Sequence, residues 1–412
     1  MRPSLRACPS EREVMKALNG IRVLDLTHML SGPYCAMLLA DMGADTIKVE
    51  PPKEGEGTRK LLANDPKNSI DGMGAYFLTL NRNKRSVTID LKSDRGRELF
   101  YELVKVSDVV LYNFSAGVAE RLKIDHAHLA HHNPRIISVA ITGFGETGPN
   151  KDAVSFDMVA QGTGGGMSIT GETGGRPMRS GIPIGDLGGG LMGCIGTLSA
   201  LQARTTTSRG QHVDISMQDA QVSMLNYMAT MYFLSGETPG PLGNGHFVHV
   251  PYDTFPTSDG WVIIAVITDT FWKNLMTIAG LPELDTPENE RQPGRWKNRH
   301  LINQRIAERF KTNTSEHWLG KMREARIPSA PVNDFEQTLT DPHVLARNMV
   351  VEIPHPNGRS VKQVGNPIKM SDTHEDTFTA PPLLGAHTNE IMRRLLGKTD
   401  AELTKLRNEG VI

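Results

Sequence analysis

The stretch Ile21-Arg-Val-Leu-Asp-Leu26, followed by Ser31-Gly-Pro33, Gly43 and Asp45-Thr-Ile-Lys-Val-Glu50, decides the fold. The first six residues read as a buried strand. Ser31 supplies a hydroxyl at a helix start, Pro33 suits the first turn, and Gly43 ends the helix. A second strand follows, which makes a strand–helix–strand unit of about thirty residues, the seed of a parallel sheet. The pattern then recurs. Residues 86–91 read as strand, 95–106 as helix, 108–114 as strand, 116–122 as a short helix and 135–142 as strand. This alternation predicts a doubly wound α/β layer. Thr27-His-Met-Leu-Ser-Gly-Pro33 stands where a dinucleotide-binding GxGxxG would be, which disfavours a nicotinamide oxidoreductase.

The texture changes near residue 205. A Met- and Ala-rich helix is expected over 217–234, then a Pro/Gly stretch over 239–245. A strand pair follows, with helices near 271–280 and 301–310, and Ile327-Pro-Ser-Ala-Pro-Val332 reads as a linker. The expected division is an extension at 1–19, a large domain over 20–224, a smaller α+β domain over 225–325, and a linker and return over 326–412. Lys plus Arg number 45 against 46 Asp plus Glu, a net charge of −1. That balance offers no electrostatic case for nucleic acid or an anionic membrane surface. Apolar runs such as Trp261-Val-Ile-Ile-Ala-Val-Ile267 are shorter than the roughly 18 residues of a membrane span. Residues 1–19 lack a signal-peptide core, and Glu11 and Glu13 disfavour a transit peptide. Three cysteines without a CxxC (Cys8, Cys35, Cys194) point to a reducing, cytoplasmic compartment.

Chemistry is concentrated in Gly181-Ile-Pro-Ile-Gly185-Asp186-Leu-Gly-Gly-Gly190. Asp186 opens a helix that runs to about Arg204 and is loaded with glycine, at up to ~1 kcal/mol each against Ala. Such a helix expects the close approach of a backbone or a ligand. The helix start should keep the carboxylate ionised, and an ionised carboxylate can attack an activated acyl group. The competing reading is an ordinary Asp cap. The Gly-rich run 163–175 lacks the Lys-Ser/Thr of a P-loop and reads as a pocket wall. Leu242-Gly-Asn-Gly-His246 is either a hinged lid or a simple turn. Arg82, Lys84, Arg85, Lys92 and Arg121 form either a solvated face or a phosphate-binding rim. His126, His128, His131 and His132 crowd a helix end, and the spacing does not by itself make a metal site. Asp157 is a candidate supporting acid or a structural hydrogen-bonding Asp.

Ordered phrases then carry a resemblance over residues 18–412. They include Gly20-Ile-Arg-Val-Leu-Asp-Leu-Thr, Ser31-Gly-Pro, Asn81-Arg-Asn-Lys-Arg-Ser86, Asp90-Leu-Lys92, Asp108-Val-Val-Leu-Tyr-Asn113-Phe and Thr142-Gly-Phe-Gly145. Gly185-Asp186, Gly210-Gln-His-Val-Asp-Ile-Ser-Met217, Leu383-Leu-Gly385 and His387-Thr388 complete them. The chain resembles the family III CoA-transferases, whose fold is shared by the α-methylacyl-CoA racemases. The resemblance implies a Rossmann-like large domain made from both chain ends, a small middle domain and an interlocked homodimer. It implies acyl-CoA and a small carboxylic acid as substrates, with no tightly bound cofactor and no metal. The family's nucleophilic aspartate falls on Asp186. Its CoA contacts fall on Met29, Leu30, Ser31, Ile89, Leu91, Lys92, Asn113, Arg121 and Met217, and its mobile glycine loop on Gly243, Asn244, Gly245 and His246. Phe156 stands where racemases have histidine and formyl-CoA transferases tyrosine, and the loop is short. Both features point toward dicarboxylate-type transfer, with succinyl-CoA as donor. Ala386 replaces the usual glutamate before His387, which leaves no ion pair expected at that point.

Overall fold

The computed structural model describes residues 16–373 and 377–412. Cys8 and most of the expected extension lie outside them. The chain forms two compact units. Unit 1 takes the chain up to Gly165, Gly181–Asn226 and His343–Ile412, and unit 2 takes Gly166–Ser180 and Tyr227–Pro342.

Unit 1 is built on β1 (Arg22–Asp25), α1 (Ser31–Asp41), β2 (Asp45–Glu50), β3 (Lys84–Thr88), α2 (Asp94–Lys105), β4 (Val109–Tyr112) and β5 (Ile137–Thr142). It continues through α3 (Asp157–Thr163), α4 (Ile184–Thr207), β6 (His212–Ser216) and α5 (Met217–Met224). The strands form one sheet in the order β3-β2-β1-β4-β5-β6, with every neighbouring pair parallel. The order grows outward in both directions from β1, so the switch point lies between β1 and β4. Because strand side chains alternate, each strand serves two cores. Val23, Val109 and Leu111 pack with α1 and α4 on one face. Leu24, Val110 and Tyr112 pack with α2 and the helices Thr388–Leu396 and Asp400–Asn408 on the other. α4 is long and apolar enough to cross a membrane by length and composition. Gly189 and Gly193 lie against Ile141 of β5, and Gly190 against the start of α1, which makes α4 a core helix.

Unit 2 holds α6 (Tyr227–Ser235) and a three-stranded antiparallel sheet of β7 (Tyr252–Pro256), β8 (Trp261–Ala265) and β9 (Ser329–Pro331). Helices including Asp269–Ala279, Arg299–Phe310 and Ser315–Glu324 close a core around Trp272, Phe310 and Trp318. Three expectations change here. The helix expected over 217–234 is two helices, because Asn226 takes φ 48° and stops the first. The expected linker 327–332 contains β9, whose Pro331 is tolerated because the strand lies at the sheet edge. The middle unit also extends beyond 225–325. Gly243 N–H donates to Gly171 O at 2.9 Å and Thr173 Oγ1 to Pro241 O at 3.0 Å, which joins Gly166–Ser180 to it.

Three of the basic residues in and beside β3 are structural, not part of a rim. Arg82 pairs with Asp41 at 2.6 Å and Lys84 with Asp25 at 2.8 Å, all four buried. Arg85 bridges Asp45 and Glu390. Removing one member of a buried pair leaves an uncompensated charge, at a cost of about 3–5 kcal/mol. Arg82→Ala should therefore lower the melting temperature by several degrees, and the surviving folded fraction should keep its ligand affinity. A changed affinity at unchanged stability would return Arg82 to the rim.

Candidate active site

The first turn of α4 is capped from outside its own sequence. Pro183, the residue before the helix, has no side chain to cap it. Asp157, the first residue of α3, does so instead: its Oδ1 accepts from Gly185 N–H at 2.9 Å and Asp186 N–H at 3.2 Å. Its Oδ2 accepts from Gln161 Nε2 at 2.8 Å. A Cβ on Gly185 would lie 2.8 Å from Asp157 O, so only glycine lets the two segments approach this closely. Asp157 is thus the cap and Asp186 is not.

The Asp186 carboxylate accepts no hydrogen bond from the described residues. Burial, and then the charge of Asp157, push its pKa up from the usual carboxylate range to about 6. This reverses the expectation that the helix start would favour its charged form, because the N–H groups that would do so serve Asp157. Asp186 is still mainly ionised at neutral pH. A half-buried carboxylate with no donor partner is a reactive one.

The glycine face of α4 brings the loop after β1 to the site. A Cβ on Gly190 would sit 2.6 Å from Ser31 O, and one on Gly189 would sit 2.9 Å from Met217 Cγ. Ser31, at the start of α1, and Met217, at the start of α5, are both buried there. Met29 adopts φ 61°, and Leu30 precedes the helix. A non-glycine residue in this left-handed region needs a surrounding structure that enforces it. Asn113 provides part of that: its Oδ1 accepts from His28 N–H at 2.7 Å and its Nδ2 donates to His28 O at 2.8 Å. Beneath the loop, buried Lys48 Nζ donates to Thr27 O at 2.9 Å. Burial alone would raise the pKa of Asp25, but Lys48 and Lys84 hold it at about 2.

Beside the switch point lies a mainly apolar pocket of about 250 Å³ at the carboxyl ends of β1 to β4, lined among others by His28, Ile89, Leu91, Lys92 and Phe114. Open α/β sheets bind ligands at this place. Arg121 lies between two further lining residues, Val118 and Leu122, and is exposed. Neither Lys92 nor Arg121 has an acidic partner among the described residues. His28 and Phe114 were missed from the sequence. They follow the ends of β1 and β4 by three and two residues, a positional signal that points to them.

The remaining candidates are Phe156, next to Asp157 at the start of α3, and a loop of unit 2. Phe156 is 63% exposed. In unit 2, Gly243 takes φ 64°, Gly245 N–H closes a turn onto Leu242 O, and Asn244 Nδ2 donates to Thr254 Oγ1 at 3.0 Å. His246 Nδ1 accepts from Val248 and His249 N–H at 3.0 and 3.1 Å. His387 Nδ1 accepts from Ser86 N–H, so the ring has a partner beside Ala386 without an acid. Among the described residues no group of His, Cys, Asp and Glu is arranged to hold a metal. His126 bonds Ser138 and His128 bonds Asp125 instead.

The sequence signature described as CoA-transferase family III matches residues 18–388. The chain belongs to that family. It is 39% identical to the succinyl-CoA:mesaconate CoA-transferase of Haloarcula hispanica, covering 92% of this chain and 96% of the relative. It is 36% identical to the succinate–glutarate CoA-transferase of Agrobacterium fabrum, covering 92% and 95%. The crystal structure of a CaiB/BaiF family protein from Brucella suis superposes with TM-score 0.82 at 35% identity, covering 92% of this chain and all of that one. A family III CoA-transferase is an enzyme that acts on acyl-CoA thioesters and carboxylates.

For this CoA-transferase the raised Asp186 value has a definite sign. The neutral form is favoured on folding, so its contribution to stability is full below the unfolded carboxylate pKa and is lost as pH rises through about 6. Asp186→Asn should then melt higher than the parent at pH 8, by on the order of 1 kcal/mol after solvent screening, and melt with it at pH 4. Asp157→Asn keeps an amide oxygen for the cap but removes the charge, so the acid limb of kcat/KM should move to lower pH. An unmoved limb would show that Asp157 does not tune Asp186.

Proposed function

We propose that the protein moves CoA from succinyl-CoA to a small dicarboxylate, with Asp186 as the covalent carrier. The observation that carries this reading is the Asp186 carboxylate at the head of α4: half-buried, unbonded, and held in place through its own backbone by Asp157. An Asp186 oxygen attacks the thioester carbonyl, the C–S bond breaks, and CoA thiolate leaves an aspartyl–succinyl anhydride. The thiolate attacks the Asp186 acyl carbon and expels succinate, which gives an aspartyl-CoA thioester. The acceptor carboxylate displaces the thiolate to form a second anhydride. The thiolate then attacks the acceptor's acyl carbon and restores Asp186. Each thioester broken is matched by one formed and no proton is transferred, so the sequence requires no ATP. Phe156 beside Asp157 has no proton to exchange, which favours transfer over racemisation. The relatives named for mesaconate and glutarate transfer support a dicarboxylate acceptor.

The pocket beside the switch point is read as the CoA site, with Lys92 and Arg121 meeting phosphate and Met29, Leu30, Ser31, Ile89, Leu91, Asn113 and Met217 shaping its reach to Asp186. The homodimer belongs to the same reading. Phe233, Leu234 and Phe335 are 80, 83 and 85% exposed, side chains that a second copy would cover. Cys35 and Cys194 are free thiols, which accords with a cytoplasmic location.

The test incubates enzyme and succinyl-CoA with single acids and reads the products by mass. Mesaconate or glutarate should exceed butyrate in kcat/KM by about 10²-fold. Asp186→Ala should transfer nothing, whereas the parent should show an Asp186 peptide heavier by CoA. Transfer by Asp186→Ala, or equal use of butyrate, overturns the corresponding half of the proposal. Lys92→Ala and Arg121→Ala should raise KM for every acyl-CoA alike, and less for donors without the 3′-phosphate. A change confined to the acceptor acid would move the phosphate site elsewhere.

A further inference from the structure

Unit 2 contains a pocket of its own, of about 260 Å³, roughly eight water volumes. Its lining includes His246, His249, Tyr252, Asp253, Arg299 and Asn303. Two lining atoms, His249 Nδ1 and Asn303 Oδ1, are buried and have no hydrogen-bond partner. Buried polar groups are nearly always paired, so two orphans in one pocket mark a place built for a ligand. The guanidinium of Arg299 lies over the Trp296 ring at 4.5 Å, and its Nη1 donates to Trp296 O at 3.0 Å. These two contacts hold it in place, and it has no acidic partner among the described residues. His246 adds a donor of known tautomer. Its Nδ1 accepts two backbone N–H groups, and burial favours the neutral ring, so the proton sits on Nε2. Asp253 is the one acid in the lining, and its oxygens are engaged by Thr254 N–H at 2.7 Å and Asn303 Nδ2 at 3.3 Å.

We propose that this pocket binds a small carboxylate, with the Arg299 fork and His246 Nε2–H donating to its oxygens, His249 Nδ1 as a third donor, and Asn303 Oδ1, an acceptor, left for a hydroxyl or water beside it. A planar guanidinium held over an aromatic ring matches a carboxylate in two-point contact, where a lysine would offer only a point charge. The Asn303 Oδ1 acceptor suits an acid that also carries a donor such as a hydroxyl, rather than a bare fatty acid. Phosphate is a poorer fit, because the pocket supplies one cation and already contains one carboxylate.

Succinate is the probe, a choice that rests on the transferase reading. Its binding is measured without turnover, on the full chain carrying Asp186→Ala, in the absence of CoA. Isothermal titration should show saturable succinate binding that sodium chloride of equal ionic strength does not reproduce. Arg299→Met keeps the apolar cover on Trp296 and should weaken binding by about tenfold or more. Asn303→Asp, nearly isosteric, adds a second negative charge and should weaken it at least as much. Melting curves establish that both variants are folded. Unchanged succinate affinity in either folded variant, or the same heat from chloride, overturns the site. Because turnover is not read, a failure here is separate from a failure of Asp186 as carrier.

Discussion

The contact on which the site depends is the bond of the Asp157 carboxylate to the two N–H groups at the head of α4. A helix start carries partial positive charge and unpaired donors. Those donors would normally stabilise the acid in the first turn, Asp186. Here another segment's carboxylate takes them, and Gly185 allows the approach. One interaction therefore sets the entry angle of the helix, fixes the backbone of the acid that follows, and leaves that acid's side chain poorly stabilised in its charged form. The fold accepts a less stable charge at this position.

The loop after β1 follows a related logic. Its conformation is unfavourable at Met29, and it is held by the Asn113 amide on one side and by buried Lys48, Lys84 and Asp25 beneath. Charges that look in sequence like a surface for anions are the internal fastenings of this loop and of its neighbours. Arg82, Lys84 and Arg85 illustrate how a basic cluster around a strand divides. Those whose side chains run toward the sheet meet acids from β1, α1 and β2, and only Lys92, beyond the strand end, stays exposed.

The strand–helix alternation was legible because runs such as Val109–Tyr112 and Ile137–Thr142 are apolar strands buried on both faces, although β2 and β3 also carry buried charges. The glycine-loaded helix was legible for a similar reason, since Gly190 could only signify close approach, and Ser31 is what approaches. Three kinds of feature were not. The break at Asn226 depends on one backbone dihedral, which an apolar pattern running across it conceals. Pairing of Ser329–Pro331 with β8 is a long-range event, and two prolines in the segment argue locally for a linker. The cap on α4 comes from a residue nearly thirty positions upstream, so the local motif put the capping role on the wrong aspartate.

Unit 1 is assembled from segments on both sides of unit 2. Its sheet has one face covered by α1 and α4, which are early in the chain, and the other completed by Ile391, Met392, Leu403 and Leu406, which are late. During synthesis the sheet can therefore form and bury one side while the other, covered in part by α2, still lacks its last two helices. That side waits through more than a hundred residues of an inserted unit that closes its own core independently. The exposed strip is rich in Leu, Ile, Val and Phe, the composition that chaperones bind and that aggregates when left uncovered. Long-range closure of this kind also folds slowly, because a large loop must be closed before its contacts stabilise anything. The order of segments along this chain thus makes the last two helices the step that ends its period of vulnerability.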